Sequence, residues 1–275
     1  MEKSLKTGQI EDLIMYMKSR TNLDLAGYRP TTLRRRISHR MMVRGISDME
    51  DYMNCLYSDP SELKNLTEEI TIKVTEFFRD RDVFEYLDSR VIPGMIENKI
   101  EKGQSGLTIW SAGCSTGEEA YSIAMLLAAR IQGTGIRARV LGTDISEQAC
   151  LLAEKGQYPA EKALKIPDEM RNKYIMKNGG TCSICARVRK LVSFQVHNIF
   201  SDPPLKRADM VLCRNVIIHF KHSHREEVLN NFYSALSERG FLILGKSEAV
   251  SGDSYGLFRI QSPSIKLYRK IKGSA

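Results

Sequence analysis

The residues with the clearest chemical meaning form one run, Trp110-Ser111-Ala112-Gly113-Cys114-Ser115-Thr116-Gly117-Glu118-Glu119-Ala120-Tyr121-Ser122. An apolar strand, Leu107 to Trp110, enters a turn of small residues and leaves it as a helix. Open α/β sheets use that layout to hold a nucleotide-like ligand at a strand's C-terminal end. The turn Gly113-Cys114-Ser115-Thr116-Gly117 is not a Gly-x-Gly-x-x-Gly fingerprint, and no Lys follows its last Gly as a phosphate-binding loop requires. Two glutamates open the helix instead. Carboxylates there complement the helix dipole but repel phosphate. The turn therefore suits a nucleoside without phosphates that carries positive charge, and S-adenosylmethionine is such a ligand.

Other candidates cluster at strand ends. Asp144 ends the second strand, 31 residues after Gly113. A carboxylate there can accept hydrogen bonds from both ribose hydroxyls of an adenosine; alternatively, Thr143-Asp144-Ile145-Ser146 simply starts the next helix. Glu119 faces a similar choice between a ligand ammonium and an exposed helix start. A third strand finishes in Cys213-Arg214-Asn215-Val216, and Asn198 follows a strand at 191–196, so both belong to one set of strand ends. Cys182 and Cys185 make a single Cys-x-x-Cys without the further ligands zinc needs, so no metal is expected. His219, His222 and His224 lack ligand spacing and read as solvated loop histidines. Arg36, Arg40 and Arg44 form a row beside Leu33, Ile37 and Met41, either a solvated face or a docking face for an acidic helix.

These residues need elements to position them. Residues 8 to about 72 show helical spacing in short runs, punctuated by Gly27, Pro30 and Gly45, with helix starts at Ser47-Asp48 and Asp59-Pro60-Ser61. From 107 onward strands alternate with helices. Strands are expected at Leu107–Ser111, Arg139–Asp144, Leu191–Val196, Ala208–Cys213 and Phe241–Gly245, those at 191–196 and 208–213 being buried. Helices are expected at about 118–131 and 145–155, and Ser223-His224-Arg225-Glu226 reads as a capping box opening a helix that ends near Gly240. Phe258–Ile260 and Ile265–Arg269 read as a closing hairpin. The stretch from about 156 to 190, with Pro159, Pro167, Gly179-Gly180 and few buried-looking residues, reads as an insertion. The fold class is therefore α/β: a doubly wound, mostly parallel, Rossmann-like sheet with a terminal antiparallel hairpin, plus a small all-α N-terminal domain.

With 42% hydrophobic and 27% charged residues, the composition is that of a soluble globular protein. No run is long enough to span a membrane, Met1 to Lys6 is polar, and six scattered cysteines read as reduced thiols in a cytosolic protein. The formal charge of +8 favours acidic partners, and between Asp24 and Asp48 six arginines occur with no carboxylate. No platform of interleaved aromatic and basic residues points to nucleic acid.

At these residues the chain resembles the chemotaxis receptor methyltransferase family (CheR), over nearly its whole length and in order. Thr75-Glu76-Phe77-Phe78-Arg79 looks like the family's inter-domain signature, Trp110 to Ser122 its cofactor turn, and Cys213-Arg214-Asn215-Val216 its later strand end. Gly245-Lys246-Ser247-Glu248 resembles its Gly-His-Ser-Glu. The resemblance implies S-adenosylmethionine-dependent methylation of glutamates on methyl-accepting chemotaxis receptors. Its cofactor contacts fall on Thr75, Arg79, Glu119, Asp144, Asn198, Ile199, Arg214 and Asn215. Lys73 stands where the family usually has Asn, and His219 where it usually has Tyr.

The resemblance further implies a receptor-docking helical domain at 1–75, a linker and leading helix at 76–106, and a methyltransferase domain at 107–275. The insertion at about 156–190 corresponds to the family's small β-subdomain, which in some members grips a peptide at the receptor's C-terminus; here Arg187 to Phe194 looks short. The expected partners are receptor cytoplasmic helices, met by Arg34, Arg35, Arg36, Arg40 and Arg44, and not nucleic acid or the membrane interior. The protein is expected to act in the cytoplasm as a monomer. A glutamate with a pKa of about 4.3 is already an anion at neutral pH, so no general base is needed. The one catalytic assignment, Arg79, is to positioning. The alternative is a catalytically weak module of the same fold that senses S-adenosylmethionine or S-adenosylhomocysteine.

Overall fold

A computed structural model describes residues 7–21, 23–71 and 75–272. The chain divides into two compact units, Met1–Lys73 with His219–Arg225, and Val74–Ile218 with Glu226–Ala275.

The first unit contains α1 (Thr7–Thr21), α2 (Pro30–Val43), α3 (Met49–Ser58) and α4 (Pro60–Ile70). Pro30 sits in the first turn of α2, where its missing N–H costs nothing, and Leu33, Ile37 and Met41 recur every four residues and are buried. Asp48 and Asp59 cap α3 and α4, accepting the backbone N–H of Glu50 and of Ser61, both at 2.9 Å.

The arginines of the row pair with carboxylates of their own unit. Arg40 grips Glu62 through two hydrogen bonds of 3.0 and 2.5 Å, Arg36 donates to Glu69 at 2.9 Å, and Arg44 to Asp59 at 3.2 Å. α4 and its cap supply the carboxylates that α2 lacks. Glu62 is fully buried and also accepts Tyr52 Oη at 2.8 Å. Burial alone would raise its pKa, but Arg40 and Tyr52 outweigh that and hold it below the ordinary value. His219 is not a solvated loop residue either. It is half-buried, its carbonyl accepts Arg29 N at 2.8 Å, and burial together with Arg36, Arg35 and Arg29 depresses its pKa.

The second unit begins with α5 (Arg81–Tyr86), which passes through a π-helical turn at Leu87–Val91 into α6 (Ile92–Glu101). Then follow β1 (Gly106–Ala112), α7 (Glu118–Arg130), β2 (Arg137–Asp144) and α8 (Glu147–Lys155). The insertion holds β3 (Gln157–Pro159), a 3-10 turn at Ala160–Lys165, α9 (Asp168–Tyr174), β4 (Ile175–Asn178), β5 (Thr181–Ile184) and α10 (Ala186–Arg189). The main sheet resumes with β6 (Val192–Val196) and β7 (Ala208–Cys213); after α11 (His222–Ala235) come β8 (Leu236–Leu244), β9 (Phe258–Ser262) and β10 (Leu267–Lys270).

The seven strands of the main sheet lie in the order β6-β2-β1-β7-β8-β10-β9. β6, β2, β1, β7 and β8 are parallel, and β10 runs antiparallel to both β8 and β9. β1 and β7 bury nearly every residue, as strands covered on both faces must. β6 does not: it is an edge strand with no buried residue, so its apolar run misleads. α11 stops at Ala235, short of Gly240, because β8 already pairs at Leu236 and makes its bend inside a bulged strand, with Arg239 at φ +62.

The insertion forms a second sheet in the order β3-β5-β4. Contrary to its sparse pattern, it buries Tyr158, Ala163, Ile166, Tyr174, Cys182 and Ile184. Strand, 3-10 turn and helix change too quickly there for one apolar period to show. Among the described residues no helix is long and apolar enough to cross a membrane.

Candidate functional site

β1 lies between β2, which follows it in the chain, and β7, so the connections after β1 and β7 leave the sheet in opposite directions. Such a switch point opens a crevice at the C-terminal strand ends. The turn after β1 sits there. Gly113, Ser115 and Gly117 all adopt left-handed backbone, at φ +73, +51 and +93. A Cβ on Gly113 would lie 2.6 Å from Val216 Cγ2, so only glycine fits. The Gly113 and Cys114 amides both donate to Thr143 O at 2.8 Å, pinning the turn to the end of β2.

Asp144, the last residue of β2, ties the residue that caps the next helix to the turn after β1. Its Oδ1 accepts Ser146 N at 2.9 Å and its Oδ2 accepts Ser115 N at 2.8 Å. The cap of α8 itself is Ser146, whose Oγ accepts Ala149 N at 3.2 Å.

Glu119 is not an exposed helix start. It accepts Ser111 Oγ at 2.7 Å and Arg214 Nη1 at 3.3 Å. Arg214 follows β7 with its side chain only 1% exposed. Its Nη2 donates to Arg79 O at 2.9 Å and pairs with Asp80, and its guanidinium lies over the Phe84 ring, 5.5 Å from the centroid. Two carboxylates thus share one buried guanidinium. Lys246 approaches Asp80 only to 4.0 Å, is half-exposed, and bonds Asp82 at 2.8 Å. The segment that presents Arg79 and Asp80 is strained, with Phe78 at φ +52 and Asp80 at φ +57, and Phe78 N is held by Ser122 Oγ at 3.0 Å.

Asn215, beside Arg214, also has left-handed backbone, at φ +61. Glu248 fixes it. This buried carboxylate accepts the amides of Gly245, Asn215, Val216 and Ile218 at 2.6 to 3.1 Å. Burial pushes its pKa up despite those four bonds. Among the described residues, Ser115 Oγ and Asn215 Oδ1 are buried without a hydrogen-bond partner. Buried polar atoms rarely stay so. These two orphaned atoms, with two carboxylates gathered on the single buried Arg214 guanidinium, fit a polar, cationic nucleoside.

The structure thus joins Arg79, Glu119 and Arg214 in one network and sets Asp144 and Asn215 on turns at nearby strand ends. Asn198 and Ile199 follow the end of β6, where Val196 pairs with Asp144 and His197 N donates to Asp144 O at 3.0 Å. Asn198 Oδ1 accepts Phe200 N at 3.0 Å, and Ile199 O accepts Asn231 Nδ2 at 3.2 Å. Thr75 is half-buried at the start of the Phe77-Phe78-Arg79 segment, and Lys73 lies outside the described residues. The expectations did not include Asp80, Ser111 or Glu248 among the site residues. Asp80 and Ser111 were signalled only by adjacency to Arg79 and to the turn, and Glu248 by its place in the Gly245-Lys246-Ser247-Glu248 motif.

Residues 73–265 match the family described as CheR methyltransferase, SAM binding domain, and residues 8–71 match CheR methyltransferase, all-alpha domain. The chemotaxis protein methyltransferase of Listeria monocytogenes is 31% identical over 242 residues, covering 88% of this chain and 90% of that protein. That of Borreliella burgdorferi is 28% identical over 252 residues, covering 89% of each. An uncharacterized 104.1 kDa protein of Rhodobacter capsulatus is 34% identical over 252 residues, which cover 91% of this chain but only 26% of that one. The chain belongs to the CheR methyltransferase family and is an S-adenosylmethionine-dependent methyltransferase.

Proposed function

We propose that the chain methylates glutamate side chains on the cytoplasmic helices of methyl-accepting chemotaxis receptors, forming glutamate methyl esters. The observation that carries the cofactor end is the cluster in which Glu119 and Asp80 share the buried Arg214 beside a turn unsuited to phosphate. When bound, S-adenosylmethionine supplies an electrophilic methyl group on a sulfonium.

The chain's own residues do the rest. Asp144, at the end of β2 beside the turn, accepts the hydrogen bonds of the ribose hydroxyls. Glu119 meets the cofactor's ammonium, and Asn198 and Ile199 border its adenine. Thr75, Arg79, Arg214, Asn215 and, in the family's position, Lys73 complete the contacts. Arg79 orients the substrate carboxylate without gripping it, because a tight pair would stabilise the ground state and slow the transfer. Charge is lost as carboxylate meets sulfonium, so alignment in a dry crevice supplies most of the acceleration.

For the substrate end, Arg36, Arg40 and Arg44 already hold carboxylates. Arg35 is exposed, and among the described residues no carboxylate lies within ion-pair distance of it. Arg35 therefore meets the acidic receptor helix. The protein acts in the cytoplasm as a monomer.

The test is incubation with methyl-labelled cofactor and receptor-bearing membranes, followed by mild base. Base-labile label on the receptor supports this reading; cofactor binding without transfer to any receptor makes the chain a sensor module instead. Asp144→Ala weakens S-adenosylhomocysteine binding more than tenfold, about 1.4 kcal/mol, by calorimetry. An unchanged affinity removes Asp144 from the ribose. Arg35→Glu lowers receptor methylation and leaves cofactor affinity in place.

A further inference from the structure

Resting on that reading of the cofactor site, we propose that Tyr158 and Lys162 of the inserted subdomain are positioning residues. They hold the far end of the cofactor turn and so set the affinity for cofactor.

Two routes run from the insertion to the crevice. Tyr158, in β3, is 4% exposed, and its hydroxyl donates to Thr116 O, inside the turn, at 2.7 Å. Its ring meets Phe77 edge-on at 4.9 Å, and Phe77 leads directly into the strained Phe78–Asp80 segment that holds Arg214. The second route is electrostatic. Lys162, in the 3-10 turn, pairs with Glu118, the first residue of α7, whose side chain is wholly buried. Among the described residues no other cation lies within ion-pair distance of Glu118. The Glu118 carboxylate accepts Thr116 Oγ1 at 2.7 Å, and its backbone carbonyl accepts Ser122 Oγ at 2.6 Å. Ser122 Oγ in turn accepts Phe78 N at 3.0 Å. Lys162, Glu118, Ser122 and Phe78 therefore form one bonded chain from the insertion to the segment opposite the turn.

α8 backs the turn from another side: a Cβ on Gly117 would lie 2.8 Å from Ala153 Cβ. With the turn braced there, the insertion decides where Thr116 and Glu118 come to rest, and with them Ser115 and Glu119 next in the chain. A buried carboxylate stripped of its cation must find water or a proton. Either response shifts the first turn of α7. Residues that place the turn act on ground state and transition state alike, so their loss raises Kd and KM rather than lowering kcat. By reciprocity, anything that binds the insertion and moves β3 or the 3-10 turn changes cofactor affinity, and cofactor changes its binding by the same factor.

The test compares Lys162→Met, Lys162→Arg, Tyr158→Phe and the double variant Lys162→Met with Glu118→Gln in the full chain. Calorimetry with S-adenosylhomocysteine, thermal midpoints without ligand, and initial rates are measured on each. Lys162→Met is expected to raise Kd and the cofactor KM about tenfold, with kcat at saturating cofactor within about twofold of wild type. Lys162→Arg retains wild-type affinity, and the double variant, which leaves no unpaired buried charge, recovers most of the loss. Tyr158→Phe raises Kd about three- to fivefold, the loss of one hydrogen bond. A lowered midpoint with Kd unchanged in Lys162→Met overturns the proposal, as does an equal loss in Lys162→Arg. Should Lys162→Met not fold, an unchanged Kd in Tyr158→Phe overturns it. Asp144→Ala measured in parallel separates the two failures, since an unchanged affinity there removes Asp144 from the ribose and with it the placing of the cofactor beside this turn.

Discussion

Arg40 in the helical unit and Arg214 in the sheet unit are both held against carboxylates, and their surroundings differ. Arg40 faces Glu62 from regular helix, and Glu62 is completed by the Tyr52 hydroxyl; every group in that network is a side chain on an unstrained backbone. Arg214 instead donates to a main-chain carbonyl, pairs with Asp80 in left-handed backbone, and among the described residues leaves its Nε without a partner. Left-handed backbone at a residue other than glycine costs about 1–3 kcal/mol, and both Phe78 and Asp80 adopt it. One network stabilises a helix bundle. The other holds a segment where the chain would not rest unaided, at the strand ends where the cofactor reading places the ligand.

Arg214→Met should break this contrast most visibly. It leaves Glu119 with Ser111 alone and releases the Arg79–Asp80 segment. Breaking a buried pair on one side costs about 3–5 kcal/mol, read by denaturant unfolding of the second unit. We expect affinity for S-adenosylhomocysteine to fall more than a hundredfold, about 2.8 kcal/mol. If affinity persists while stability falls, Arg214 is as structural as Arg40 and the distinction is lost.

Glu62→Gln is the converse and should be smaller. It keeps the size of the side chain and removes the charge that Arg40 and Tyr52 hold, for about 2 kcal/mol of stability in the helical unit. Cofactor affinity should not change. The pH dependence follows in sign. The folded chain holds the Glu62 pKa below its ordinary value, so the stabilisation is complete above the ordinary carboxylate range and is lost as pH falls through the lowered value. The Gln variant should lose that acid-sensitive component, measured as the pH at which helical signal drops. A wild-type acid transition in the variant would show that Glu62 carries no such share.

The contrast also explains which parts were legible in the sequence. The strand, the Gly113–Gly117 turn and the Asp144 strand end were readable because each is written within a dozen residues, as an apolar run meeting small or acidic residues. The partners of the arginine row were not. Arg40 and Glu62 lie 22 residues apart and Arg36 and Glu69 33 apart, so a carboxylate-free stretch looked like an open basic face. Asp80 was passed over because backbone strain leaves no mark on composition. Glu248 was legible as part of a motif, but what its carboxylate does shows only when its four amides are seen around it. The insertion hid its core by changing element type faster than any period can show.

His219→Gln should give the smallest effect and sharpens the comparison within the helical unit. Unlike Arg40, whose charge meets a carboxylate, His219 faces Arg36, Arg35 and Arg29, and burial adds to their repulsion in lowering its pKa. The unfolded chain, with a histidine value of about 6.5, therefore binds this proton more readily than the folded one. Stability in the helical unit is full above that value and declines as pH falls from it toward the lowered value, levelling off below. Gln keeps a polar side chain but cannot titrate, so it should flatten this decline. The difference, about 1 kcal/mol or less, is measured by amide exchange in α2 at pH 7.5 and 5.5 after correction for intrinsic rates. An equal decline in both proteins would mean that the arginines around His219 are as fully compensated as Arg40.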